Sequence, residues 1–459
     1  MELHVSLADG DLAAGIYRQL REAIVDGRLR PGERLPSTRD FAGRLAVSRN
    51  TVAVAYERLI AEGFCSARVG SGTFVAFTEP GEPAATGTSP SPRPQWRTDP
   101  APDPRRFDYD FQIGVPDPAL FPYVAWRRLV SRELRPSAAP LPGYASAAGH
   151  PGLREAVARH IGLSRAVRAD PEDVLITQGA QQALDLTSRV LVEPGDTVAV
   201  EDPGYPPARD LFAALGARIA PVPVDAEGID VDRIPPGTRL VYVTPSHQFP
   251  LGMPMSLARR RALLDWAERH DGVIVEDDYD SEFRYSERPL EPLYSLGGGR
   301  GRVLYVGSFS KVLSPLLRVG FLIAPPALRG PLRTARRLSG WHGEWWTQAA
   351  LARFIDEGQL GRHVRKATRL YAARWERLTE GLAAIGGLTL VPGSAGLHVC
   401  VHGDFDGVAV AERAARLGVR VREVTRFGGT RQGLVLGFGV ITAERVPEGL
   451  RRLATALRP

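Results

Sequence analysis

The chain has 459 residues, 44% hydrophobic and 24% charged, with a formal net charge of +6. That balance is ordinary for a globular protein of two or three domains. It holds no run long and apolar enough to span a membrane, and its small basic excess permits an anionic partner without demonstrating one.

Two cysteines, Cys65 and Cys400, make no disulfide framework, so a reducing, cytoplasmic setting is expected. Met1 to Asp11 carries acids but no basic run and no apolar core, which argues against a signal peptide.

Residues 1–78 read as a small domain of three helices and a hairpin. Ala13, Ile16, Tyr17, Leu20 and Ile24 recur at helical spacing, and Gly27 is a stop signal. After the loop Arg30 to Pro36, a second helix starts at Ser37, with Asp40 where a capping box has Glu or Gln. Phe41 and Leu45 form its apolar face. A third helix begins Ser48-Arg49-Asn50-Thr51 and turns Val52, Tyr56, Leu59 and Ile60 inward until Gly63 ends it. Phe64 to Ala76 then alternates around Gly70-Ser71-Gly72, the pattern of a β-hairpin. Three helices plus a hairpin make a winged helix-turn-helix.

The first turn of the third helix is polar and basic, the layout of a helix whose start enters the major groove. Arg49 suits guanine and Asn50 suits adenine, because each side chain matches that base edge in bidentate fashion. Arg34, Ser37, Arg39, Ser48 and Thr51 and the wing tip Gly70-Ser71 are candidate contacts to double-stranded DNA, largely to its phosphates. The competing reading is a solvated first turn in a protein-interaction module; ten arginines against nine acids in residues 1–78 do not decide between them.

Residues 79–106 are rich in proline, with Gly, Ser, Thr and Ala between, and read as a semi-rigid linker. From 107 to 459 short β-rich runs alternate with helical ones: Val174 to Thr177, Val198 to Glu201, Leu240 to Val243, Val273 to Glu276 and Val303 to Val306. This predicts an α/β body with a mostly parallel sheet covered by helices.

Lys311 and Lys366 are the only lysines among 58 Lys and Arg residues. A lysine amine can lose its proton and form an imine with an aldehyde; a guanidinium cannot. Lys366 lies on a polar helical stretch and reads as solvated. Lys311, in Ser308-Phe309-Ser310-Lys311, follows a predicted strand where the chain turns, a placement that suits a reactive group in an α/β sheet.

Three other strings fit the same ligand, pyridoxal 5′-phosphate. Val275-Glu276-Asp277-Asp278-Tyr279 puts a carboxylate at a strand end, where it can pair with a protonated pyridine nitrogen; a helix cap or a metal site is the alternative for such a cluster. Thr177-Gln178-Gly179-Ala180-Gln181 runs a strand into a helix N-terminus that offers N–H groups to a phosphate. Ser308, Ser310 and Arg318 suit that phosphate too.

The small domain resembles the GntR-type winged helix, through Leu35 to Arg39, Val47 to Val52, Glu62-Gly63 and Gly70 to Val75. The body resembles the fold-type I aminotransferases over most of 107–459. That resemblance implies that Lys311 is the Schiff-base lysine and that Asp277 is the partner of the ring nitrogen. It implies that Tyr279 reaches the ring hydroxyl and that Tyr205 stacks on the ring. Gly179, Ala180, Gln181, Ser308, Ser310 and Arg318 become phosphate contacts. Tyr144 resembles the tyrosine that reaches a neighbour's phosphate, which implies a homodimer.

Head, linker and body together resemble the MocR-type regulators: transcription factors that hold pyridoxal phosphate and respond to it or to an amino compound, typically as head-to-tail dimers. No metal is expected.

Two departures bear on activity. The aminotransferase Asn-Pro-x-Gly stands here as Phe249-Pro250-Leu251-Gly252, so the asparagine that holds the ring hydroxyl is absent. The strand Leu434 to Phe438 lacks the arginine that clamps a substrate carboxylate; Arg431 is the candidate replacement, with Arg426 and Arg209 behind it. These departures favour a regulator sensing pyridoxal phosphate, or an amino compound, over an amino-acid/2-oxo-acid aminotransferase with an attached DNA-binding module. The missing clamp tilts the effector towards the cofactor itself, and with it towards control of vitamin B6 metabolism; sensing of an amino compound would point to control of its catabolism. A third reading makes the body a dimerisation scaffold. His247 is expected to be a hydrogen-bonded structural residue, and Trp341, Trp345 and Trp346 core or interface.

Overall fold

The computed structural model describes residues 11–77, 91–93, 96, 105–135, 143–285, 291–298 and 301–458. It divides into two compact units, Met1–Arg93 and Pro94–Pro459. Most of the proline-rich stretch read as a linker lies outside the described residues.

In the first unit α1 (Leu12–Val25), α2 (Thr38–Leu45) and α3 (Arg49–Ala61) precede a hairpin of β1 (Cys65–Arg68) and β2 (Gly72–Val75). Each helix starts on a side-chain cap. Asp11 accepts from the Ala13 and Ala14 amides, Ser37 from Asp40 and Ser48 from Thr51. Ala46, in the left-handed region at φ 53°, stops α2 and sets the turn into α3. Ile16, Leu20, Ile24, Leu35, Phe41, Val52, Tyr56, Leu59, Cys65 and Val75 close one core. The Tyr56 hydroxyl enters that core and donates to Pro36 O at 2.9 Å, which pins the loop before α2.

The second unit opens with β3 (Tyr109–Asp110), α4 (Tyr123–Glu133), α5 (Pro151–Arg165), β4 (Val174–Thr177) and α6 (Ala180–Leu191). It continues with β5 (Thr197–Asp202), α7 (Pro206–Ala214), β6 (Arg218–Asp225), β7 (Gly228–Ile229), β8 (Thr238–Val243), α8 (Leu257–Arg269), β9 (Val273–Asp278) and α9 (Leu293–Leu296). Next come β10 (Val303–Ser308), β11 (Gly320–Ile323), α10 (Pro326–Gly340), α11 (Trp345–Asp356) and α12 (Gln359–Ala383). The end holds β12 (Thr389–Leu390), β13 (His398–His402), α13 (Gly407–Arg416), β14 (Val419–Arg420), β15 (Arg422–Glu423), β16 (Gly433–Gly437) and α14 (Val446–Leu457).

Eight strands form the main sheet in the order β4-β11-β10-β9-β8-β5-β6-β7. Neighbours from β10 to β6 run parallel, β11 is antiparallel to both β10 and β4, and β7 turns back on β6. Alternate residues feed opposite faces. Ile274 and Tyr305 join one core with α5, α8 and α11; Val275, Leu304 and Val306 join the other with α6 and α7. The same period of two puts Asp277 and Ser308 on the face of Val275 and Val306. The parallel strands end along one edge, where β5, β8, β9 and β10 deliver their following loops together. A smaller antiparallel sheet, β12-β13-β16-β15, packs with α12, α13 and α14 over a separate core.

Candidate cofactor cavity and DNA-reading surface

At the carboxyl edge of the sheet lies a cavity of about 370 Å³. Ala180, Gln181, Tyr205, Asp277, Tyr279, Ser308, Ser310, Lys311 and Arg318, all marked in the sequence, line it together.

Lys311 follows β10, and its Nζ donates to Gly114 O at 2.6 Å. Burial pulls its pKa down, against the pull of Asp280 and Asp277. The shift is towards the free amine that a nucleophile requires. Gly114 stands at φ +68°, and a Cβ there would lie 2.9 Å from Nζ, so the glycine leaves room for the amine.

Asp277 is fully enclosed at the end of β9. Tyr242 donates to its Oδ2 at 2.7 Å, and among the described residues its Oδ1 has no partner. Burial pushes the carboxyl up to about 7, and the Tyr242 bond only partly offsets this. A buried carboxylate oxygen without a partner, on a cavity wall, suits a cationic N–H on a bound ring. Its neighbour Asp278 faces the other way. Burial would raise Asp278, but the Arg165 guanidinium at 2.8 Å and the Tyr305 hydroxyl hold it below the usual range, which anchors the strand end.

A second fixture is an anion cradle. Gly179 caps α6 at φ 82°, and the first N–H groups of that helix have no partner within it. Arg318 lies over this turn in the left-handed region at φ 49° and donates to Gln178 O at 2.7 Å. The Ser310 amide donates to Ser308 Oγ at 3.1 Å, which draws both serines to the same end. Guanidinium, hydroxyls and helix N-terminus converge as a phosphate needs.

The wall opposite is aromatic. Phe249, in the place of the asparagine, sits 5.5 Å from Tyr205, 6.2 Å from Tyr279, 5.6 Å from His398 and 5.1 Å from Phe427 between ring centroids. The Tyr279 hydroxyl donates to His247 O at 2.9 Å, so it meets a ring hydroxyl only as an acceptor. Phe249→Asn would leave an amide among these rings and cost about 1–3 kcal/mol of stability, readable by denaturant titration.

Behind them His247 Nδ1 bonds both oxygens of Asp280 at 3.1 Å, the structural role expected of that histidine. With His398 these groups lie within 4.8 Å of one another. His398 Nε2 already meets Pro250 O at 3.1 Å, so the trio is a hydrogen-bonded support in this state.

The carboxylate clamp needs correction. Arg431 lines a separate hollow with Leu251, Met253, His402 and Val424. Arg209 pairs with its neighbour Asp210 at 3.1 Å and is also outside the cavity. The guanidiniums on the cavity wall besides Arg318 are Arg420, Arg422 and Arg426. The turn that carries Arg426 also carries Phe427 inward, and it leaves Arg431 on the far side. Gly179 shapes the cradle without lining the cavity, and Tyr144 is exposed and packs on Trp341 at 4.8 Å, away from this cavity. Lys366 is exposed on α12.

Sequence reasoning missed Tyr242, His398, Phe427 and the segment Gln112-Ile113-Gly114. Tyr242 carried a faint signal, a hydroxyl in an otherwise apolar strand. The Gln112 segment carried none, since it reaches the cavity through the pairing of β3 with β14 far down the chain.

On the first unit Arg34, Ser37, Arg39, Ser48, Arg49, Asn50, Gly70 and Ser71 are exposed, and Thr51 is half-buried. Ser48 and Thr51 share a 2.7 Å hydrogen bond at the start of α3, so they serve first as its cap. Arg49 is steadied by a 3.3 Å bond to Thr38 Oγ1, and Asn50 is left pointing to solvent.

The family described as bacterial regulatory proteins, gntR family, matches residues 12–75, and aminotransferase class I and II matches 124–453. The chain is 37% identical to a probable rhizopine catabolism regulatory protein, MocR, of Rhizobium meliloti, over 98% of this chain and 94% of that one. It is 34% identical to the pyridoxine biosynthesis transcriptional regulator PdxR of Corynebacterium glutamicum, over 92% and 91% of the two chains. The α-aminoadipate aminotransferase LysN of Thermus thermophilus, solved with N-(5′-phosphopyridoxyl)-L-leucine, superposes with a TM-score of 0.69 at 32% identity, over 76% of this chain and 92% of that one.

Proposed function

Since the chain belongs to the MocR-type transcriptional regulators, with a GntR-type winged helix and an aminotransferase class I and II domain, we propose that it binds pyridoxal 5′-phosphate at Lys311 and couples that site to DNA binding. The observation that carries the cofactor reading is the Oδ1 of Asp277, without a partner among the described residues, on the wall that also holds Lys311 and the anion cradle. When bound, the cofactor supplies an aldehyde to which primary amines add and a ring that draws electrons when its nitrogen is protonated.

The chain's own residues do the rest. Asp277 holds a proton on the ring nitrogen, and Tyr242 keeps that carboxylate in place. Arg318, Ser308, Ser310 and the start of α6 take the phosphate. Tyr205 and Phe249, in edge-to-face contact, would shield a bound ring from water. Tyr144, exposed and braced by Trp341, is available to complete the site of a second copy in a homodimer. A ligand changes DNA affinity only by as much as it distinguishes the two states of the body.

The deciding measurement is binding of the cofactor-free protein to the DNA upstream of its own gene, with and without pyridoxal phosphate at fixed salt. A shift in affinity or footprint supports the cofactor as a sensed ligand. No shift moves sensing to a second amino compound.

The DNA surface makes its own prediction. Arg39→Ala should weaken binding across sequences and lower the slope of log affinity against log salt by about 1. Asn50→Ala should instead cost about 1–3 kcal/mol at one base pair and relax preference there. A salt-independent affinity in the native protein would defeat the assignment.

A further inference from the structure

We propose that the buried guanidinium of Arg336 is the centre of a site for one small monovalent anion, a formate- or chloride-sized ion taken from solution. The site lies beside the strand-to-helix turn of the anion cradle and outside the cofactor cavity.

Arg336 stands near the end of α10 and is 1% exposed. Its Nε and Nη1 are shut off from solvent and have no hydrogen-bond partner among the described residues. The other buried arginines are engaged: Arg154 with Glu172, Arg165 with Asp278, Arg260 with Pro245 O and Arg374 with Asp117. Burial pulls the pKa of Arg336 down, and no acid stands close enough to pull it back. A guanidinium keeps its charge all the same, and a buried charge is tolerated where a counter-charge and hydrogen bonds meet it.

Two glycines make the room. A Cβ on Gly340 would lie 2.8 Å from Arg336 Nη1, and a Cβ on Gly343 would lie 3.0 Å from Nη2. The Gln182 carboxamide nitrogen is 3.7 Å from the first of these points, and that of Gln178 is 3.7 Å from the second. Gln182 Oε1 is taken by the Gln178 amide at 2.8 Å. Gln348, beside them, is committed on both sides: it accepts from the His150 amide at 2.8 Å and donates to His342 O at 2.6 Å. What faces the gap is therefore a set of N–H donors. The C-terminal carbonyls of α10 lend it partial negative charge, yet none of them accepts from Arg336. A planar fork with two amides around a space of about one side-chain carbon suits a small anion. Gly340 and Gln178 are exposed, so solution reaches the gap.

Such an ion would tie three features together. Trp341 leaves α10 at φ 52°, a left-handed conformation that side chains rarely adopt and that its surroundings must hold. Its Nε1 donates to Ala145 O at 3.0 Å, and its ring packs on Tyr144. Gln178 O receives Arg318 of the cradle. One ion between Arg336 and Gln178 thus steadies the turn that braces Tyr144 and the back of the cradle at once.

The test is amide hydrogen exchange on the full-length chain with pyridoxal phosphate present, read in peptides spanning 340–348. Sodium formate replaces a bulky buffer anion at fixed ionic strength. At ten times the half-saturating concentration, exchange there should slow about tenfold, the factor by which a ligand of the closed turn suppresses its opening. Arg336→Met fills the space without the charge, a change that buried charges commonly tolerate, and should lose the formate response. Gly340→Asp sets a carboxylate beside Nη1; it should slow the same peptides without formate and make them blind to it. Glu344→Gln removes the acid of the turn itself and should respond as the native chain does. No slowing by formate in the native chain, equal slowing in Arg336→Met, or a response lost in Glu344→Gln would overturn the proposal. Formate without effect while Gly340→Asp still protects the turn would overturn it too, and would assign the counter-charge to an acid of a second copy. Should Arg336→Met fail to fold, the native titration and Gly340→Asp decide between these outcomes.

Discussion

Lys311→Ala should weaken retention of pyridoxal phosphate by about a hundredfold, or about 2.8 kcal/mol at about 1.4 kcal/mol per decade, and remove the visible absorbance band. The anion cradle, Asp277 and the aromatic walls would all survive the change, so weak binding should persist. Lys311→Arg separates charge from chemistry. It keeps a cation beside Asp277 and Asp280, yet a guanidinium forms no imine with an aldehyde. If the body were only a dimerisation scaffold, both variants would bind and release DNA as the native protein does. If the cofactor site governs the head, both should lose the ligand-dependent part of DNA binding and keep the ligand-free part. Equilibrium dialysis for the cofactor and a footprint at fixed salt read the two effects separately, and unchanged dialysis would remove Lys311 from its assigned role.

The sequence located most of these groups because each sits at the end of a short apolar run. Asp277 lies at the end of one strand and Lys311 just after another, both buried enough to read as short apolar runs, and Gly179 marks the strand-to-helix turn. The head was equally legible, since Ile16, Tyr17, Leu20, Ile24, Val52, Tyr56 and Leu59 repeat at helical spacing and all are buried. Legibility failed where placement depends on pairing between distant segments. Arg422 enters the cavity because β15 joins β16, and Gln112 because β3 joins β14; neither pairing leaves a local pattern. Strand β6 was hidden for another reason. Pro221 and Pro223 interrupt its pattern, and only the two-residue β7 pairs beyond it, so near the sheet edge their missing N–H groups cost little. Arg431 was favoured over Arg426 by proximity to β16 in sequence, but the intervening turn points the two side chains to different hollows.

Asp277→Asn should stabilise the cofactor-free protein while abolishing tight cofactor binding. The native carboxyl is held near pH 7 by burial, far above the usual aspartate range near 4. An acid whose pKa is raised by folding keeps its proton longer in the folded state. The folded state then binds more protons than the unfolded one between about pH 4 and about pH 7, so stability falls as pH rises through that window. The penalty is complete above about pH 7, with a ceiling near 4 kcal/mol at 1.36 kcal/mol per pH unit. Glu201 and Glu276, each pushed by burial to about 7, add to the same trend. Asparagine removes the charge, and its carbonyl can still accept from Tyr242 while its amide faces the cavity where Oδ1 now stands alone. We expect a gain of about 2 kcal/mol at pH near 8 that shrinks steadily towards pH near 4, measured by denaturant titration of the cofactor-free protein. A gain independent of pH, or a loss at high pH, would mean that burial of this carboxyl does not destabilise the cofactor-free protein. The expected pattern would identify Asp277 as a group kept at a cost to stability, because a buried carboxylate with a free oxygen is what a protonated ring nitrogen requires.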